Sequence, residues 1–211
     1  MSGAGSTLLA GAADEGKPVL KAAFVRTVGE RDRIYVVRSD GSEVSWAFPT
    51  YGDALPHDLI HLVVEAAFGL RQGFWGRVDA GVDPGAIMAD ANRKGGANKY
   101  AAFGPAMSEL QLAEALANPG WLVGEPSTAS LREHIVVACR ESGLSPPALL
   151  SAKRVDRVRV VLRTLASRWR GLTPKGTLTM AFDSQDASRG FDPLCKEAAQ
   201  HMDEAANARA G

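Results

Sequence analysis

The sequence predicts an α+β protein in which a small antiparallel sheet, three N-terminal strands plus one C-terminal strand, is covered by about five or six helices. Three observations predict it. Alternating or β-branched runs occur at residues 21–28, 33–38, 43–48 and 177–183; helical periodicity fills the interval between the third run and the fourth; and strands at both ends of a chain with helices between them favour one antiparallel sheet with helices mainly on one face. A chain of 211 residues with 45% hydrophobic and 23% charged residues has the size and balance of one ordinary globular domain. The expected organisation is a flexible tail over residues 1–18, a single α+β domain over 19–205 and a frayed tail over 206–211.

The strand at 33–38 (Arg-Ile-Tyr-Val-Val-Arg) combines the β-branched and aromatic residues that suit a pleated surface. Ser39-Asp40-Gly41-Ser42 follows it, and Asp-Gly reads as a two-residue hairpin turn whose central positions both need φ > 0. Beyond it, Val44, Trp46 and Phe48 alternate with Glu43, Ser45 and Ala47, as expected of a sheet with one covered and one wet face. Residues 53–70 read as a helix with Asp53 near its cap and Pro56 in its first turn. Apolar residues from Leu59 to Phe68 nearly encircle it, which predicts burial. Gly73-Phe74-Trp75-Gly76 reads as a tight loop whose rings plug the core.

Four more helices precede the last strand. Asp83-Pro84 opens one that ends near Gly95-Gly96; Ser108-x-x-Gln111 is a capping-box pattern opening another that stops before Pro119-Gly120; Ser130-x-x-Glu133 caps a third that Gly143 closes; and Ser145-Pro146 begins the longest, which runs to about Gly171. Thr173-Pro174-Lys175-Gly176 is a turn, and Leu178, Met180 and Phe182 then alternate with Thr179 and Ala181 as a fourth strand. A final helix begins at Asp192-Pro193.

Composition excludes several classes of function. Twenty-four basic residues balance twenty-four acidic ones, so no net field draws nucleic acid or anionic lipid to the chain. Two cysteines, Cys139 and Cys195, do not make a disulfide framework in a chain of this length, and the expected compartment is the reducing cytoplasm. The first sixteen residues lack the basic and apolar regions of a signal peptide, and no run approaches the roughly 20 apolar residues of a membrane span, so no membrane partner is expected. Seven basic residues between Lys153 and Arg170 flank an apolar stripe of Val155, Val158, Val161, Leu162, Leu165 and Trp169, a layout of arginines beside a core-facing helix and not of a nucleic-acid reader. The glycine-rich stretch 93–100 matches no phosphate-loop signature, Cys139 reads as a small core residue, and no serine lies in a Gly-x-Ser-x-Gly elbow.

One cluster carries chemistry: His57-Asp58-x-x-His61-x-x-x-Glu65. Residues four apart share a helix face, so His57 and His61 are able to grip one divalent ion such as zinc. Glu65 lies eight residues from His57, about 12 Å along a helix axis, too far to share that ion. Four residues beyond His61, it suits a supporting role, accepting the imidazole's other proton. A third ligand has to come from elsewhere, with His134, His201 and Asp183 the candidates. The alternative is a non-catalytic scaffold or protein-interaction domain in which both histidines are buried structural residues, hydrogen-bonded to Asp58, Glu65 or backbone carbonyls.

The five positions 57–61 resemble the His-Glu-x-x-His motif of zinc metalloproteases, a resemblance that implies a hydrolase with Asp58 as the base. Aspartate is about 1.5 Å shorter in reach than the glutamate of that motif. The longer Leu-Pro-His-Asp-Leu-x-His-x-x-x-Glu run at 55–65, with Gly73-Phe74-Trp75-Gly76, is similar to a family of uncharacterised bacterial proteins and implies a bacterial source without an activity.

Overall fold

In the computed structural model, residues 18–27, 31–48, 52–91, 105–118 and 120–210 are described, except for the side chains of 90, 91, 105–107, 188 and 201–210. Strands β1 (Leu20–Val25), β2 (Asp32–Val37), β3 (Glu43–Phe48) and β4 (Thr177–Phe182) form one antiparallel sheet in the order β3-β2-β1-β4. This is the expected three-plus-one arrangement. Leu20, Ala22 and Phe24, then Ile34 and Val36, then Leu178, Met180 and Phe182 turn inward, while Lys21, Arg33, Tyr35, Val37 and Thr179 remain at the other face. Period-two alternation thus gives the sheet one dry side, and the helices cover it.

Seven helices follow among the described residues: α1 (His57–Phe68), α2 (Phe74–Asp79), α3 (Pro84–Ala91), α4 (Pro105–Ala117), α5 (Thr128–Glu141), α6 (Ala152–Gly171) and α7 (Phe191–Ala210), the last preceded by a 3-10 turn at Ala187–Gly190. None is long and apolar enough to cross a membrane. α1 lies at the centre, with Leu59 and every residue from His61 to Phe68 buried. It packs against α2, α4, α6 and α7. On α6 the whole predicted apolar stripe is buried, and Arg157 pairs with Asp192 at 2.6 Å, Arg168 with Glu197 and Arg159 with Asp156.

Several boundaries differ from expectation. The Asp40-Gly41 turn has positive φ only at Gly41 (+84°), with Gly41 N–H donating to the Arg38 carbonyl and the Asp40 carboxylate accepting from Ser42 N at 2.8 Å. It is therefore a longer turn, not the two-residue type. α1 starts after Pro56, since a residue before proline is pushed out of helical geometry; Asp53 instead ion-pairs with Arg26 at 2.5 Å. Consecutive prolines 146 and 147 forbid the early start expected for α6 in the same way, and Ser151 caps it by accepting from Arg154 N. Ser127, not Ser130, caps α5. α4 begins before the Ser108 box, and the Gly-Phe-Trp-Gly segment opens the short helix α2 while its rings are buried as expected. The expected end of α3 near Gly95-Gly96 and the glycine-rich stretch 93–100 lie outside the described residues.

Arg26, just past β1, fixes the junction between α6 and β4. Its Nη1 donates to the carbonyls of Trp169 (2.7 Å) and Arg170 (2.8 Å), and its backbone bonds Lys175 N and Gly176 O in the turn that leads into β4. A cation at a helix C-terminus satisfies orphan carbonyls and opposes the helix dipole. Arg26→Met is expected to cost about 1–2 kcal/mol, a melting-temperature drop of about 2–8 °C for a chain of this size. An unchanged melting curve contradicts this role.

Candidate metal centre

The site is assembled on α1. His57 is its first residue and His61 follows one turn later, so their rings meet edge to face with centroids 4.7 Å apart. His57 is half-buried, while the His61 side chain retains only 3% of its exposure. One further turn along, Glu65 is completely buried. Burial of a carboxylate is costly unless donors meet it, and three do: Phe74 N donates to Oε1 and Trp75 N to Oε2, both at 3.0 Å, and His61 Nδ1 lies 3.3 Å from Oε1. With both oxygens already receiving backbone hydrogens, the network assigns a hydrogen to His61 Nδ1 and turns Nε2 the other way.

Nε2 faces α4. There Glu114 Oε1 lies 3.5 Å from it, and ligating atoms of His57, His61 and Glu114 all fall within 4.8 Å of one another. Two imidazoles and a carboxylate are the ligand types that zinc takes, and ligands at bonds of about 2.0–2.1 Å in a tetrahedron lie about 3.4 Å apart. The His61–Glu114 pair already has that spacing, and the widest pair of the three would have to close inward for an ion to be held by all three residues. Asn118, one turn beyond Glu114, donates its Nδ2 hydrogen to the Glu114 carbonyl at 2.9 Å. His61 has a partner besides the other ligands, the Glu65 carboxylate, as metal-ligating histidines do.

The remaining predicted residues lie elsewhere. The Asp58 carboxylate accepts from the Trp46 indole at 3.0 Å and its carbonyl from the Trp75 indole at 2.8 Å, so two tryptophans hold the first turn of α1. His134 is exposed on α5, and Asp183 accepts from Gln185 N and Asp186 N in the loop after β4. Neither joins the cluster. His201 is on α7, with its side chain outside the described residues. Glu114 was missed, although a signal exists: Leu110, Ala113 and Ala117 form the buried stripe of α4 at i, i+3 and i+7, and Glu114 occupies the i+4 place in it. Gly73, a turn residue by its sequence pattern, has its α-carbon directly against the Glu65 carboxylate.

Electrostatics divide the two histidines. Burial pushes the His57 imidazole down, and the neighbouring His61 adds to this, so His57 stays neutral and available as a ligand. Burial also opposes charge on His61, but the hydrogen bonds and charges of Glu114 and Glu65 outweigh it and lift the ring to about 10. Glu114 is likewise opposed by burial and is nonetheless held below the carboxylate range by His61 and His57; Glu65 is pushed up by burial, with His61 and the two amides pulling back. Burial raises Asp58 against the Trp46 hydrogen bond.

A folded-state value raised from 6.5 to about 10 means that the metal-free native state keeps a proton the unfolded chain has released. The stabilisation is full below pH 6.5, declines above it and is gone beyond about 10. Urea unfolding of the metal-free protein should show a steeper loss of stability across that window than His61→Gln does. Equal slopes refute the assignment. Comparison with protein-family models, curated proteins and solved structures finds no match to this chain, so the centre is read from its own residues.

Proposed function

We propose that this chain binds one divalent transition-metal ion of the zinc class through His57, His61 and Glu114, with Glu65 orienting His61. The observation that carries the reading is the convergence of three ligand groups from two helices, with a buried carboxylate behind the most buried ligand. Three protein ligands leave a coordination position open, and Glu114, with 39% of its side chain exposed, lies on the accessible side. An ion held by these three residues would supply activation of water, and hydrolysis is the reaction class that chemistry serves. Asp58 keeps its carboxylate on the Trp46 indole, and we assign it to holding α1 in place, not to moving protons.

One observation favours a second reading. Each nitrogen of His61 already faces a carboxylate, so a buried imidazolium between Glu65 and Glu114 is neutralised within the protein. The cluster is then a core network of a non-catalytic scaffold or interaction domain.

Metal analysis separates the two. Protein purified without a histidine tag is expected to carry or take up about one equivalent of zinc per chain, and His57→Ala, His61→Ala and Glu114→Ala should each abolish stoichiometric uptake. Uptake at pH 7 should also release about one proton as His61 gives up the hydrogen on Nε2, visible by calorimetry in buffers of different ionisation enthalpy. Substoichiometric metal in the wild type leaves the scaffold reading in place of the metal one.

A further inference from the structure

We infer that Gly73 is a positioning residue of the metal centre: by leaving the space of a Cβ to the Glu65 carboxylate, it fixes the hydrogen of His61 on Nδ1 and delivers Nε2 to the ion. This rests on the metal-binding reading above.

The requirement for glycine here is steric and not conformational. Gly73 has φ −69° and ψ −157°, an extended backbone with a negative φ, outside the left-handed region that favours glycine. A Cβ at this position, however, falls 2.6 Å from both Cδ and Oε2 of Glu65 and 3.0 Å from Oε1. A flexible carboxylate at a surface swings away from such a contact. This one has no such freedom: it is completely buried, and the amides of Phe74 and Trp75, the two residues after Gly73, draw it toward the same backbone that would carry the methyl group. Relief of the overlap breaks one or both of the hydrogen bonds from these amides and withdraws Oε1 from His61 Nδ1.

Only an acceptor with two oxygens satisfies all three donors. An amide at position 65 retains one oxygen, so its NH2 group must face either Trp75 N–H or the Phe74 N–H and His61 pair. Gly73 thus works through the Glu65 carboxylate on the choice of ring nitrogen that carries hydrogen. By contrast, a Cβ on Gly76 meets the Arg71 backbone carbonyl at 1.8 Å, which is a demand of the turn itself and does not involve the metal centre.

The test measures zinc affinity by competition with a chromogenic chelator for the wild type, Gly73→Ala, Glu65→Gln and the double variant, with long-range 1H–15N spectra of 15N-histidine-labelled protein. Gly73→Ala and Glu65→Gln should each weaken zinc about 10–100-fold, and the double variant should bind no more weakly than Glu65→Gln alone. In the zinc-loaded wild type, His61 should carry hydrogen on Nδ1 and zinc on Nε2, and Gly73→Ala should lose that single state. Wild-type zinc binding with unchanged affinity and ring state in Gly73→Ala overturns the role of Gly73 alone; absence of zinc binding to the wild type overturns the metal reading and this role with it. Should Gly73→Ala not fold, the wild-type spectrum still tests the ring state on which the role depends: zinc on Nδ1 overturns the proposal.

Discussion

The centre of this fold is organised by a carboxylate that has no access to water. An ionised group with the burial of Glu65 carries a desolvation penalty of several kcal/mol, which only well-placed donors offset. Three donors come from two places: His61 on the same helix, and the amides of Phe74 and Trp75 at the start of α2. To make those bonds the chain must turn sharply between α1 and α2. Gly69 does so with φ +72°, while Gly69 and Leu70 N–H both close on the Glu65 carbonyl, a helix-ending arrangement. One residue therefore receives bonds at its backbone from the end of α1 and at its side chain from the start of α2.

α4 is tied to the same region by two further carboxylates. Glu109 accepts from the amides of Arg71 and Gln72 at 2.8 and 2.6 Å, and Glu114 reaches His61 Nε2. The path from α4 through Glu114, His61 and Glu65 to Phe74 and Trp75, and back through residues 71–72 to Glu109, closes on itself. Each link holds a polar group that burial or a turn would otherwise leave unsatisfied. The tryptophans complete the frame: Trp75, packed edge to face on Phe24 of β1 at 5.8 Å, and Trp46 of β3 both hydrogen-bond Asp58, so the sheet and the histidine helix are fixed to each other.

How legible this was depended on the range of the determining interaction. Strands were readable because alternation is local: residues 43–48 and the Leu178, Met180, Phe182 series carry their burial on their face. Helix starts were less so, because Ser127 and Ser130, or Ser145 and Ser151, are locally equivalent capping residues, and the choice falls to the surrounding chain, the Pro146-Pro147 pair among it. His57, His61 and Glu65 stood out as polar residues on an apolar helix. Glu114 did not, because its role is set by packing between helices nearly fifty positions apart in sequence, and Gly73 did not, because a close approach is visible only when the opposing atom has a position.

Glu65 holds His61 so that Nε2, His57 and Glu114 converge on one region between α1 and α4. The most direct measurement is an anomalous difference map from crystals soaked in zinc. One strong peak is expected in that region, about 2.0–2.1 Å from His61 Nε2, a His57 ring nitrogen and a Glu114 oxygen, with His61 Nδ1 still on Glu65. A peak elsewhere on the molecule, or none while the His61–Glu114 contact persists at full zinc, contradicts it.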